Sequence, residues 1–271
     1  MKKKFPLFSL TVLLAIAAGC FGCGLFLGKD PSYMDLRHCN TAPNYSFFFG
    51  TDSLGRDIFT MIWYGGRVSL LIGFLAAFIS TVLAVLVGSV SGYAPAWMDG
   101  ILMRLTDLIF SVPGLLLTIF LQAAMGKANV YSLSVAIGLT GWMSMAKVVR
   151  TEVLQLKSTE YVLAAKCLGG GFFHLLCRHL VPNFIPSILF MAVMSVRNAM
   201  VAEATLSFMG LGLPVEAVSW GGMLSQAENA LLSRAWWIVL IPGVFLAGTI
   251  VSLTNLGNYM RKSINKRHSN L

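Results

Sequence analysis

Charge is what this chain has least of. Only 11% of its 271 residues are Asp, Glu, Lys or Arg, while 56% are hydrophobic. Soluble domains carry about 25% charged residues, so the balance excludes an ordinary soluble domain and indicates a lipid-embedded one. Nucleotide chemistry is missing as well: no GxxxxGK[ST] phosphate loop occurs, and without one the chain has no ordinary means of cradling ATP. Neither HExxH nor GxSxG occurs, and no Ser/His, Asp/Asp or His-pair set falls inside an apolar run, which argues against an intramembrane hydrolase. A disulfide framework is equally poorly supported. Of five cysteines, Cys20, Cys23, Cys167 and Cys177 lie in or beside apolar stretches and only Cys39 is in a polar one, so free, mostly buried thiols are expected. The CxxC of Cys20 and Cys23 has no neighbouring histidine and reads as packing.

What is present is a series of apolar runs: 5–27, 68–90, 101–125, 130–146, 184–209 and 236–256. Each suits a helix crossing a bilayer, which takes roughly 20 residues, and lipid leaves the backbone little other choice. The expected fold is therefore an all-α polytopic membrane protein with six transmembrane helices. Pro113 is placed to kink the third run. The start, with Lys2, Lys3 and Lys4 before an apolar run and "IAAGC", also imitates a lipoprotein signal. Its apolar run is about 23 residues, beyond the 7–15 of such a signal, so a retained span is expected.

The net charge of +9 is a topology signal. One set of connectors holds Lys2, Lys3, Lys4, Arg104, Lys147, Arg150, Lys157, Lys166, Arg178 and the basic residues after 258. The alternate set holds fewer, nearly balanced by Asp30, Asp35, Asp52, Asp57, Glu216 and Glu228. The positive-inside rule then puts both termini and the 147–182 loop in the cytoplasm and gives no reason to invoke nucleic acid. Trp63, Tyr64, Trp97, Trp236, Trp237 and Tyr259 fall at the expected interfaces. The organisation reads as a first span and outer loop (1–66), a core of five spans with the loop (67–257), and a basic tail (258–271).

That loop contains "EYVLAAKCLGGGFFHLLCRHLVPN", residues 160–183. Tyr161, Ala164, Ala165 and Leu168 recur at i, i+3, i+4 and i+7 and share a helical face centred on two alanines, while Glu160 lies off it. Gly169, Gly170 and Gly171 end the helix and permit a reversal, and Phe172 onward can start a second helix leading through Arg178 to Pro182. This spells a helical knob that docks a soluble protein or folds back on the membrane surface.

The segment resembles the EAA loop of binding-protein-dependent ABC importer permeases, with Ala164, Ala165, Gly169 and Pro182 in matching positions. Leu163 stands where that pattern has glutamate; Glu160, nearly one turn earlier, is the nearest carboxylate. "FGTDSLGRDIFTMIWYGGRVSL" (49–70), "RHLVPN" (178–183) and "EATLSFMGLGLP" (203–214) are similar to stretches of the C-type permease subunit of dipeptide, oligopeptide and nickel importers, in the same order. The resemblance implies a type I ABC importer permease fold and two such subunits forming the pathway. It also implies two ATPase subunits that bind ATP and Mg and dock on Glu160, Tyr161, Leu163, Ala164, Ala165, Leu168, Gly169 and Arg178. An extracytoplasmic binding protein would deliver peptide, or nickel or a metal chelate. No cofactor is expected in this chain. A stand-alone secondary transporter would leave the knob without a purpose.

Ionisable residues inside spans are costly and usually face protein or water. Arg104, Asp107 and Ser111 form an i, i+3, i+7 polar stripe, in which Arg104 and Asp107 can neutralise each other. Arg197 and Asn198 lie about 20 Å into the fifth span at 1.5 Å per residue, near mid-membrane, and Glu203 further on. Asp107, Arg197, Asn198 and Glu203 are thus candidates for a translocation path or for structural pairs. On the outside, Thr51, Asp52 or Ser53 is expected to cap the helix into span two. Arg56 and Asp57 are candidates for receiving the binding protein. "GTDSLGRD" lacks the ligand pattern of a calcium loop, and His38 with Cys39 are too few for a metal site.

Overall fold

A computed structural model of the chain describes residues 6–26, 28, 30–214 and 216–268. The described residues are helical apart from connectors and an isolated antiparallel bridge between Thr51 and Asp57. Among the described residues, four stretches are long and apolar enough to cross a membrane: α1 (Leu7–Phe26), α2 (Ile58–Tyr93), the stretch Phe172–Phe208, and most of α12 (Trp237–His268). Two bent pairs raise the number to six if each is one span: α3 (Ala96–Phe110) with α4 (Gly114–Met125), and α5 (Val130–Gly141) with α6 (Met143–Leu156). The remaining helices are α7 (Glu160–Cys167), α8 (Phe172–Leu175), α9 (Val181–Phe208), α10 (Trp220–Leu224) and α11 (Ala227–Leu232).

The centre of the bundle is α2, which packs on α1, α5, α6 and α9. Its 36 residues would extend about 54 Å, longer than the roughly 30 Å hydrocarbon layer, so it reaches beyond the apolar run 68–90 at both ends. Gly66, Ser69, Gly73, Ala77, Ser80, Ala84, Gly88 and Gly92 repeat three or four apart and are all buried. Such a stripe of small residues lets neighbouring backbones come close without a hydrophobic driving force between helices. The cap differs from expectation: Asp57, not residues 51–53, starts α2, accepting from Phe59 N at 3.3 Å and Thr60 Oγ1 at 2.6 Å. Asp52 closes a turn of its own, accepting from Leu54 N and Arg56 N and pairing with Arg56 Nε at 2.7 Å. Arg56 is only 3% exposed, so that side chain is spent internally instead of being presented outward.

The third apolar run is not one kinked helix. It breaks at Ser111, Val112 and Pro113, and α4 leaves α3 at 89°. Proline removes an amide donor and drives the preceding residue out of helical geometry. The fourth run ends at Gly141, turns by 47°, and continues as α6 through residues expected to be loop. The 147–182 connector is accordingly helical along most of its length. The fifth span is helical from Phe172, and the regular α9 begins at Val181, directly after a π-helical turn and with Pro182 at its start. The final helix runs on to His268, through much of the expected tail.

Among the described residues, three apolar clusters fill the bundle. Ile58, Met61, Ile62, Trp220 and Trp237 are at one end; Ile72, Leu133, Ile137, Ala199 and Leu206 lie in the middle. Met145, Val149, Val153, Val162, Leu175, Leu180 and Phe184 sit at the end bearing α7.

Candidate functional site: a knob, a clamp and a polar cleft

The knob is α7, the glycine turn and α8. Gly169 adopts φ +86°, and its amide donates to Lys166 O while Gly170 N donates to Ala165 O, both at 3.0 Å. This paired closure satisfies the last carbonyls of α7 and needs a residue tolerant of the left-handed region. Val162 is buried, in the same apolar cluster as Leu175, Leu180 and Phe184. The opposite face is free: Glu160, Tyr161, Leu163, Ala164, Leu168 and Gly169 are exposed and Ala165 half-buried, with Leu168 89% exposed. Tyr161, Ala164, Ala165 and Leu168 line a cleft of about 700 Å³, so the spacing had identified one continuous surface. Arg178 is exposed on the turn beyond.

His174 and His179 also line this cleft, their rings 5.9 Å apart, with Tyr161 6.3 Å from His179. Sequence reasoning missed them because residues five apart diverge by about 140° around an α-helix. Here residues 176–180 form a π-helical turn, whose wider pitch realigns positions five apart.

Behind the knob is a polar clamp. Arg150 of α6 grips Asp99 of α3 through Nε at 2.6 Å and Nη2 at 2.5 Å, and Ser91 of α2 donates to the same carboxylate. Lys157 Nζ donates to Gly92 O at 2.8 Å. Asp107 pairs with Lys147 of α6 at 2.5 Å, not with Arg104 as its spacing suggested; the α6 helix brings the lysine alongside, and Lys147 also lies 5.0 Å from the Phe110 ring centre.

Further along, α2, α4, α5 and α9 enclose a cleft of about 200 Å³ whose polar lining is Ser80, Thr118, Thr140, Ser195 and Asn198. Thr118 and Thr140 hydroxyls meet at 3.0 Å. Asn198 Oδ1 accepts from Arg197 Nε at 3.2 Å and Nη2 at 2.7 Å, so the half-buried arginine steadies the amide at the cleft. Glu203 does not join them. It is fully buried, accepting hydrogen bonds from Ser69, Ser207 and Ser219. Five residues beyond Asn198 it faces the bundle interior, where those hydroxyls satisfy it.

Residues 84–266 match the binding-protein-dependent transport system inner membrane component family. The chain belongs to that family. The matched stretch contains the knob, the clamp and most of the polar cleft. Among relatives, the dipeptide transport system permease protein DppC of Bacillus subtilis (strain 168) is 38% identical over 84% of this chain and 71% of its own length. The oligopeptide transport system permease protein OppC of the same strain is 36% identical over 97% of this chain and 86% of its own length. A putative peptide permease protein of Brucella suis biovar 1 (strain 1330) is 34% identical over 98% of this chain and 88% of its own length. The family and the several apolar helices make this a multi-pass membrane permease with the all-α type I ABC importer fold.

Proposed function

We propose that the chain is one of two permease subunits of an ATP-driven peptide importer, with both termini and the knob in the cytoplasm. The observation that carries the docking role is the exposed cleft of Tyr161, Ala164, Ala165 and Leu168, a shallow apolar surface on a helix anchored from behind by Val162. Small residues at its centre admit a partner backbone, and Tyr161 and Leu168 supply apolar contacts at its edges. Two ATP-binding subunits carrying ATP and Mg fit this role, one on this chain and one on a second, homologous permease. An extracytoplasmic binding protein delivers cargo at the opposite end. The lysine and arginine excess on the knob side supports the orientation, and relatives named for dipeptide and oligopeptide transport support the cargo.

The mechanism is mechanical. Closure of the ATPase dimer displaces the knob, the helices behind it switch the pathway outward, and resetting follows hydrolysis in the partners. The cleft of Ser80, Thr140, Ser195 and Asn198 is uncharged but rich in hydroxyl and amide groups. That chemistry suits the main-chain amides shared by peptides of differing side chains. Deleting residues 169–171, or making Ala164→Arg, should abolish co-purification of the ATPase subunits while the protein still inserts in the membrane. Normal co-purification of both variants would overturn the docking role.

A further inference from the structure

We propose that Asp99 and Arg150 form a positioning pair that makes α2, α3 and α6 move as one body, so that displacement of the knob reaches the α3–α4 break beside the polar cleft. The inference rests on the docking role of the knob and concerns what happens after docking.

Three observations build it. First, α6 joins the knob through only residues 157–159, and Lys157 is itself tied to Gly92 O of α2. Second, α6 and α2 touch backbone to backbone. A Cβ added at Gly88 would lie 2.5 Å from Ala146 O, and one at Gly92 would lie 2.9 Å from Arg150 O. The Cβ atoms of Val149 and Val153 would lie 2.8 Å from the same two added atoms, respectively, so backbone and side chain of α6 are both in close contact with α2, and close-packed contacts transmit displacement. Third, α3 lacks the apolar packing that holds α2, α6 and α9. Thr106 is its only buried residue, and Ile101, Leu105, Leu108 and Phe110 are exposed. What connects α3 to its neighbours is charge: Asp99 takes the forked guanidinium of Arg150 from α6 and the Ser91 hydroxyl from α2.

The second pair on these helices, Asp107 with Lys147, is the weaker. Its side chains are about half exposed, where ion pairs contribute little. The Asp99–Arg150 pair is more enclosed and bidentate, the geometry that combines strength with fixed orientation. Beyond α3 the chain needs only Ser111, Val112 and Pro113 to reach Gly114, Leu115 and Thr118, which line the cleft. Without the pair, the knob moves α6 and α2 while α3 and the cleft wall lag behind.

The test is the complete transporter in proteoliposomes, with ATP hydrolysis, peptide uptake and ATPase co-purification measured separately. Asp99→Asn and Arg150→Gln should each keep ATPase co-purification and hydrolysis, while peptide taken up per ATP falls about tenfold, the scale of one charged hydrogen-bonded contact. The double variant should be no worse than either single one, the sign of a shared interaction. Unchanged uptake per ATP, or losses that add in the double variant, overturns the proposal. So does loss of ATPase co-purification, since the pair would then serve docking itself. Arg150→Lys keeps the charge but not the fork; if the other variants fail to accumulate, its uptake per ATP decides, a reduced ratio supporting the proposal and a normal one overturning it. Failure of the docking role is read independently from Ala164→Arg.

Discussion

Ser219 Oγ donates a 2.7 Å hydrogen bond to Glu203 Oε1 and thereby ties the turn before α10 to α9. Ser207 Oγ reaches the same oxygen at 3.0 Å, and Ser69 Oγ of α2 reaches the other at 3.1 Å. Ser69 in turn accepts from Trp220 N. One carboxylate therefore joins α2, α9 and α10. Glu203→Ala should leave several buried hydroxyls without their acceptor and lower stability by about 3 kcal/mol, at about 1–3 kcal/mol for each buried group left unsatisfied. Glu203→Gln, which keeps a carbonyl acceptor, should cost less. Thermal unfolding in detergent measures both, and an alanine variant as stable as the native chain would remove Glu203 from its joining role.

The glycines of α2 give a sharper contrast. Gly88→Val should separate α2 from α6 and destabilise by about 1–3 kcal/mol or more, the range for overpacking a tight interface. Gly100, where an added Cβ meets nothing within 4 Å, is the control. Gly100→Ala should be neutral or raise stability by up to about 1 kcal/mol through helix propensity. Paired unfolding curves test this, and equal effects at the two positions would contradict it.

Helix existence was legible in the apolar runs because lipid leaves few other ways to satisfy a backbone. The knob was legible because periodicity and glycine act locally, within one or two turns. What escaped depended on neighbours distant in sequence. Asp107 stands three residues from Arg104, yet α6 supplies Lys147 instead. The depth of Glu203 left a translocation path and a structural pairing equally open, and its partners Ser69 and Ser219 lie 134 and 16 residues away. Pro113 announced a bend without announcing its size. His174 and His179 meet only because the turn between them is π-helical, and nothing in their spacing signals that.

Outside the bundle, Asp35 accepts from His38 Nδ1 at 2.7 Å and Arg37 N at 3.1 Å. These bonds, the His38 contact foremost, hold its carboxyl below the ordinary value of 3.8. A carboxylate so favoured in the folded state adds stability that is complete above the ordinary value and lost as pH falls through the lowered one. Hydrogen exchange of the 35–38 turn should therefore stay constant from neutral pH down to about 4, after correction for intrinsic rates, and then lose protection. Asp35→Asn should remove the acid-dependent step. A step that survives this substitution would assign it to another group.

Two residues of the knob separate docking from folding. Val162 is buried in the cluster that includes Leu175 and Phe184, whereas Leu168, on the same short helix's C-terminal cap, is 89% exposed. Val162→Asp puts a charge into an apolar cluster and should destabilise the knob by about 3 kcal/mol, reducing both folding yield and ATPase binding. Leu168→Asp removes no internal contact, so the unfolding temperature should not change. Its exposed side chain is one edge of the cleft proposed for docking, and desolvating a carboxylate there should weaken ATPase association about tenfold or more. Titrating ATPase subunit onto reconstituted permease, alongside unfolding of each variant, distinguishes the two effects. A Leu168→Asp protein that binds normally would mean the partner does not cover that edge, and the docking surface would then have to lie on the Glu160 and Leu163 side of α7.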